Sequence, residues 1–265
     1  MQRIESSPPS PEFAQCWRTA GLHLETVAKR DAAPITWLKA QLVPPFLEHL
    51  SFRLGNQLFF VRVQDVEGSV EGPGSVSGLM SIADGCKGHP CILRVRRAGR
   101  GWEVVDRSWG LTDAKTGRPV DPVTLVSDEL VEMTEWELHD FALQVVRGEL
   151  EKEGRGIMSS ANHPGVDPSI WFFGDQGPEW IVVRAVRYPL DHAEPPSNWA
   201  QIAEACAGFS ARGNFASVAV ASANERFGSP GRAATPLWRG APMVARYEGL
   251  VRMTVPQSSE RSCGR

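Results

Sequence analysis

The sequence lacks any long hydrophobic run: no apolar stretch in its 265 residues approaches the roughly 18 that cross a bilayer. We therefore expect no membrane partner. The N-terminal region is rich in Ser and Pro and has no apolar segment, so no secretory signal is expected. The five cysteines are an odd number scattered along the chain, which favours thiols in a reducing cytoplasm over a disulfide framework.

An excess of charge of one sign is also missing. The chain has 28 Lys and Arg against 31 Asp and Glu, a net charge of −3, which excludes a uniformly basic surface but leaves room for a local basic patch. Hydrophobic residues make up 42% and charged residues 22%, so most of the chain should fold around a globular core. The Ala-, Gly- and Arg-rich composition is typical of a GC-rich bacterium.

Common catalytic motifs are absent as well. No glycine-rich loop opens a helix after a strand, and there is no P-loop, serine-hydrolase elbow or helical zinc-protease motif. No internal repeat is evident at any period. The nearest approach to a metal cluster is Cys86, His89 and Cys91, three candidate zinc ligands close together. The usual second pair of ligands is missing, so a Gly/Pro turn with incidental thiols is the alternative interpretation.

The first half is predicted to combine helices with β-hairpins. Apolar spacing predicts a helix over 11–30 and a short helix over 33–42, before a Pro-Pro pair. Residues 50–54 and 58–63 have the pattern of two strands, and the Gly-Asn pair between them suits a tight turn. A second hairpin is predicted over 91–105.

The densest basic group of the sequence lies on this second hairpin and consists of Arg94, Arg96, Arg97 and Arg100. Arg94 and Arg96 share one strand face and could contact phosphates of a nucleic acid. The alternative is a strand edge that charge protects from aggregation.

The second half is predicted to form a helix-strand-strand-helix-strand core. Thr134 and Glu137 have the spacing of a capping box, and the apolar stripe that follows predicts a helix over 135–153. The remaining elements are two strands, a helix and a strand, over 169–173, 179–186, 199–210 and 215–221.

These patterns predict a mixed α+β (α/β) fold with four regions. The regions are a Ser/Pro-rich mobile tail (1–10), a helical and β-hairpin region (11–130), an α/β core (131–225) and an arginine-rich C-terminal extension that packs on the core (226–265).

The two central strands of the core can be aligned about the turn between them. Trp171 then faces Trp180, and Asp167 faces Arg184. One face carries Asp167, Ser169, Trp171, Trp180, Val182 and Arg184, and the other carries Ile170, Phe172, Glu179, Ile181, Val183 and Ala185. Trp171 and Trp180 could stack on nucleic-acid bases, or they could simply pack within the sheet.

This order of elements, with Asp167 on the first strand and a triplet ending in Arg184 on the second, resembles the core of the PD-(D/E)XK nuclease superfamily, which has the restriction-endonuclease-like fold. The resemblance implies that Asp167 binds a divalent metal, which is magnesium in an active enzyme, and that Arg184 stabilises charge on the phosphate.

The second acid of that triplet is missing, because its position holds Val182, which offers no oxygen to a metal. Glu179 lies nearby but on the opposite strand face. Glu149 or Glu151 of the preceding helix could supply the missing carboxylate.

We therefore expect a bacterial nuclease-fold protein with a decayed metal site that acts on or beside nucleic acid, in defence, plasmid maintenance or a mobile element. One alternative is an active magnesium-dependent phosphodiesterase that takes an acid from the helix over 135–153. The other is a non-catalytic regulatory protein that binds another protein.

Overall fold

The computed structural model describes residues 10–39, 49–161, 163–225, 227 and 235–253. Within these residues two mixed β-sheets and five helices confirm the predicted α+β class. Nearly all of the predicted tail lies outside the described residues. The chain divides into two compact units, residues 1–137 with 237–241 and residues 138–236 with 242–265. None of the described helices combines the length and apolarity that crossing a bilayer requires.

The first unit is built on a seven-stranded sheet. Its elements are α1 (Pro11–Arg30), β1 (Thr36–Lys39), β2 (Leu50–Leu54), β3 (Gln57–Asp65), α2 (Val76–Gly85), β4 (His89–Ala98), β5 (Gly101–Val104), β6 (Leu111–Asp113), β7 (Pro119–Val120) and α3 (Pro122–Leu125). The strand order is β1-β2-β3-β4-β6-β7, and β5 also pairs with β4. Among the described strand pairs of this sheet, β3 and β4 alone are parallel, because α2 connects those two strands.

Two elements of this unit differ from the prediction. The short helix expected over 33–42 is wrong where the chain is described, because Thr36–Lys39 is strand β1 and pairs with β2. Pairing with a neighbouring strand overrides the weak helical pattern of so short a segment. Helix α2 was not predicted; Ser75 caps it by accepting a hydrogen bond from the Gly78 amide at 3.0 Å.

The second unit is built on a six-stranded sheet. Its elements are α4 (Glu135–Lys152, of which residues from 138 belong to this unit), β8 (Ile157–Ser160), β9 (Ile170–Gly174), β10 (Gly177–Arg187), α5 (Trp199–Ala207), β11 (Gly213–Ser222), β12 (Met243–Tyr247) and β13 (Val251–Met253). The strand order is β12-β11-β10-β9-β8, and β13 also pairs with β11. The predicted order of elements is present, with β8 as an additional strand.

The capping box that starts α4 is confirmed. The Thr134 amide donates to Glu137 Oε2 at 2.9 Å, and the Glu137 amide donates to Thr134 Oγ1 at 3.3 Å. Two amides that have no backbone carbonyl partner within the helix therefore have side-chain partners.

The two units repeat one topology that the sequence did not reveal. Each has a helix, three antiparallel strands, a second helix and a strand that returns parallel to the third. The parallel strand then pairs along its two ends with two separate strands, β5 and β6 in the first unit and β12 and β13 in the second. The expectation that the chain has no internal repeat is therefore wrong at the level of the fold.

Details of register repeat as well. The central hairpin closes on the pair Leu54 and Gln57 in the first unit and on Gly174 and Gly177 in the second. An irregularity in the outer strand pair falls between residues 37 and 39 and again between 157 and 159. Each of these features recurs 120 residues later, from 37 to 157 and from 54 to 174.

The first helix of each unit buries the same pattern of positions. In α1 these include Cys16, Trp17, Ala20, Leu24 and Ala28, and in α4 they include Leu138, His139, Ala142, Val146 and Leu150. The identical spacing indicates that the two helices cover their sheets in the same way.

Candidate functional site

The two charged residues that the sequence placed together in the core, Asp167 and Arg184, form an ion pair. Arg184 Nη1 donates to Asp167 Oδ1 at 2.9 Å, and Arg184 Nη2 donates to Asp167 Oδ2 at 2.5 Å. Arg184 is in the middle of β10, whereas Asp167 precedes β9 rather than lying on it, which corrects the predicted position. The side chains are 12% exposed for Asp167 and 27% for Arg184, so water reaches one side of the pair.

The predicted alignment of the two strands is confirmed. Trp171 is the register partner of Trp180, and Ile170 is the partner of Ile181. Trp180 and Val182 pack in one cluster with the buried residues of α5. The Asp167–Arg184 pair lies on that same face, because side chains alternate along β10.

Glu179 is on the other face, as expected, and is held there. Glu179 Oε2 accepts hydrogen bonds from Asn214 Nδ2 and from Arg252 Nη2, both at 3.0 Å. Glu179 therefore does not complete a site with Asp167.

The two helix acids also have other partners. Glu149 binds Lys152 at 2.6 Å, and Glu151 pairs with Arg147 at 3.7 Å. Burial and the nearby charges of Glu153 and Glu149 raise the pKa of Tyr247 to about 12, which places Glu149 close to Tyr247. Tyr247 pairs with Val218, the neighbour of Ala185, on the sheet face that points away from Arg184.

The residues around Asp167 do not fit a magnesium ion. Both carboxylate oxygens already bind a guanidinium, and Val182, which is fully buried, adds no ligand. Among the described residues, no group of three His, Cys, Asp or Glu side chains is placed to hold a metal. Magnesium needs several oxygen ligands in near-octahedral geometry, which one neutralised carboxylate does not provide.

Neither Cys206 nor Ser169, the described thiol and hydroxyl considered at this pair, is an activated nucleophile. Burial, together with the negative charge of Asp167, raises the pKa of the Cys206 thiol to about 11, so the thiol stays protonated at neutral pH. Ser169 is fully buried, and its hydroxyl accepts a hydrogen bond from the Val183 amide at 3.1 Å.

The three candidate zinc ligands are not brought together. Cys91 is buried in the cluster beneath α1, whereas Cys86 packs in a different cluster, with Leu58 and Phe60. Burial raises the pKa of Cys91 to about 12, which disfavours the thiolate that zinc requires. His89 Nε2 lies 3.0 Å from Gln57 Oε1.

The two tryptophans differ in access to solvent. Trp180 is fully buried, its ring lies 4.9 Å from that of Trp199, and its Nε1 donates to the Ser210 carbonyl at 3.0 Å. Base stacking on Trp180 is therefore excluded. Trp171 is half-buried and meets Phe209 edge-on at 5.1 Å, and Phe209 is 60% exposed.

The four hairpin arginines are all exposed. Arg96 binds Glu103 at 2.7 Å, and Arg97 lies over the Trp102 ring at 5.1 Å. Arg94 and Arg100 form no ion pair with any residue that the structure describes.

One buried charged cluster was missed by sequence analysis. Arg239 binds both oxygens of Glu137 at 2.8 and 2.9 Å and donates to the carbonyls of Asn56, Cys86 and Lys87 at 3.1, 2.6 and 3.4 Å. Both charged side chains are at least nine-tenths buried. All five residues belong to the first unit. No sequence signal pointed to this cluster, because its members are up to 183 residues apart. Its complete pairing indicates a structural role.

Comparison with known proteins gave one family match, which covers most of the second unit and residues 136–137 and 237–241 of the first. Residues 136–253 match a family model described as a domain of unknown function, DUF8840. This segment runs from the start of α4 to the end of β13. No curated protein and no solved structure matches the chain.

Proposed function

We propose that this chain is a nucleic-acid-binding protein that does not cleave its ligand, and that its second unit is a nuclease-like core whose metal site has decayed. The observation that carries the proposal is the two-point ion pair between Asp167 and Arg184. In an active centre of this type the aspartate would hold a metal ion; here it holds a guanidinium.

The chemistry of this pair supports binding without hydrolysis. A metal ion at Asp167 would share a carboxylate that Arg184 already binds through both oxygens, and it would lie beside a guanidinium whose positive charge repels it. The guanidinium cannot replace a catalytic lysine in proton transfer, because it stays protonated at every accessible pH.

Nucleic acid is the favoured ligand because four exposed arginines lie on one short hairpin of a chain that is acidic overall. The described cysteines are buried thiols rather than disulfides, which suits a cytoplasmic location.

The test uses the full chain with plasmid DNA and labelled single-stranded DNA, in magnesium and in manganese. We expect salt-dependent binding and no cleavage. Cleavage that Asp167→Asn abolishes, while the matched surface variant Asp175→Asn retains it, would overturn the proposal in favour of an active phosphodiesterase.

Absence of binding at low salt would also overturn the proposal. The protein-interaction alternative would then be favoured, with Phe173 and Phe209, which are 54% and 60% exposed, as candidate contact residues.

A further inference from the structure

The repeated topology allows positions in the two units to be compared residue by residue. In the first unit Arg62 pairs with Ile92 and Gln64 with Arg94. With the 120-residue offset of the hairpins, the corresponding parallel pairs in the second unit are Val182 with Phe215 and Arg184 with Ser217. Arg94 therefore corresponds to Ser217, and Arg96, two residues on, corresponds to Ala219.

In the second unit this sheet face is covered. Val182 and Phe215 pack in one cluster with Trp199 and Ile202 of α5. Ser217 is the next residue of β11 on this face. Its hydroxyl accepts a hydrogen bond at 2.7 Å from the amide of Ala193, which lies in the segment that connects β10 to α5. Ala219 is fully buried. Small side chains at both positions leave room for this cover.

Among the described residues of the first unit, helix α2 covers the beginning of the corresponding face. Leu58 and Phe60 pack with Leu79 and Ile82 of α2. Further along the same face of β3 and β4, Gln64, Arg94 and Arg96 are exposed.

The segment that connects β3 to α2 is held beside Arg62, next to the exposed part of the face. Arg62, on the same face, donates to the carbonyls of Pro73, Gly74 and Gly72 at 2.7, 2.8 and 3.3 Å. Glu103 is the register partner of Arg96 and binds it, while Arg94 has no ion-pair partner in the described part of the chain.

We infer that the open sheet face of the first unit, formed by Gln64, Arg94 and Arg96, binds the phosphate backbone of the nucleic acid. The inference rests on the proposed function and names the surface that performs it. Arg94 and Arg96 are about 7 Å apart along an extended strand, and each guanidinium can donate two hydrogen bonds to one phosphate. Gln64, the neighbour of Arg94, adds an uncharged donor.

The corresponding face of the second unit cannot bind in the same way, because α5 and its preceding segment occupy it. The chain thus repeats one fold, with one copy closed and the other open.

The test measures binding of the full chain to a fluorescein-labelled single strand and to the matching duplex, by fluorescence anisotropy across a salt series. We expect Arg94→Ala/Arg96→Ala to weaken binding about tenfold at low salt and to reduce the slope of log Kd against log salt by about 1 to 2. The matched control is Lys152→Ala/Arg246→Ala, which removes the same charge from exposed positions of the second unit and should change the slope little.

Two further results separate the possible failures. If the natural chain binds and Arg94→Ala/Arg96→Ala binds equally well, this inference is overturned while the proposed function stands. If Arg97→Ala/Arg100→Ala loses binding and Arg94→Ala/Arg96→Ala does not, the nucleic acid contacts the turn and the other strand face instead. If the natural chain binds neither oligonucleotide, the proposed function itself fails.

Discussion

The two units share a topology, but the same sheet face is covered in the second unit and partly exposed in the first. In the second unit, α5 and the segment before it cover β10 and β11 as far as Ala219, and the side chains there are small or apolar. In the first unit, α2 packs on Leu58 and Phe60, and further along the face Gln64, Arg94 and Arg96 are exposed. A single backbone plan can therefore yield a closed core or an open polar surface, depending on the side chains and the crossover segment.

The units also differ in how they use an acid–arginine pair. In the first unit Glu137 and Arg239 are buried, and Arg239 binds three backbone carbonyls besides. In the second unit Asp167 and Arg184 are partly exposed. Burial raises the cost of losing one partner, because the remaining charge cannot be hydrated.

The largest effect is expected where a charge is moved onto the closed face. Ala219→Arg would bury an unpaired guanidinium in the second unit, at a cost of about 5 kcal/mol or more, enough to prevent folding of that sheet. The reciprocal change, Arg96→Ala, should alter stability by about 0.5 kcal/mol. Far-UV circular dichroism and urea unfolding measure both. A stable, well-folded Ala219→Arg protein would contradict the closed-face description.

The next largest effect is the loss of stability when the acid of either ion pair, Glu137–Arg239 or Asp167–Arg184, is removed. Glu137→Ala should reduce the free energy of unfolding by about 3 to 5 kcal/mol, because Arg239 remains buried without its carboxylate. Asp167→Ala should cost about 1 kcal/mol, because water can reach Arg184. Urea unfolding followed by tryptophan fluorescence gives the order, and the reverse order would show that burial does not set the cost.

The smallest effect concerns Asp65, at the end of β3, whose counterpart in the second unit is Ala185. Burial acts to raise the pKa of Asp65, but hydrogen bonds from the Ser69 hydroxyl and from the amides of Glu67, Ser69 and Val70 outweigh it and hold the pKa below its ordinary value. Asp65→Ala should cost about 1 to 3 kcal/mol at neutral pH.

The pH dependence of that cost has a definite sign. A lowered pKa in the folded state means that Asp65 stabilises the fold above its unfolded pKa, about 3.9, and that this stability is lost as the pH falls from there through the folded pKa. The difference between the natural chain and Asp65→Ala should therefore shrink between pH 7 and pH 3 in urea unfolding. The exposed variant Asp128→Ala serves as the control. A difference that grows on acidification would reject this account.

Local patterns predicted much of the fold because the physics behind them is local. The capping box at Thr134 and the apolar stripe behind it located α4 to within a residue of its end. The short turn between β9 and β10 fixed the register of the two strands. The register in turn fixed the faces, because a slip of one residue would turn every side chain to the other face. Asp167 and Arg184 were therefore placed on one face correctly.

Burial was harder to predict than register. Trp180 shares a face with Trp171, yet α5 covers the first and leaves the second half-exposed. Cys86 and Cys91 are five positions apart, yet they pack into different clusters. Closeness along the chain does not decide which side chains share an environment; the packing of helices on a sheet decides which of them water can reach.

The amino-acid sequence by itself determined the class of the fold, the strong helix of the second half and the hairpin that pairs Trp171 with Trp180, because capping, periodicity and turn chemistry act over a few residues. Only the tertiary structure decided that the fold is repeated, that Arg184 occupies both oxygens of Asp167, and that the face of Arg94 and Arg96 stays open. These features depend on contacts between residues far apart in sequence, and many different side chains can fill the same backbone plan.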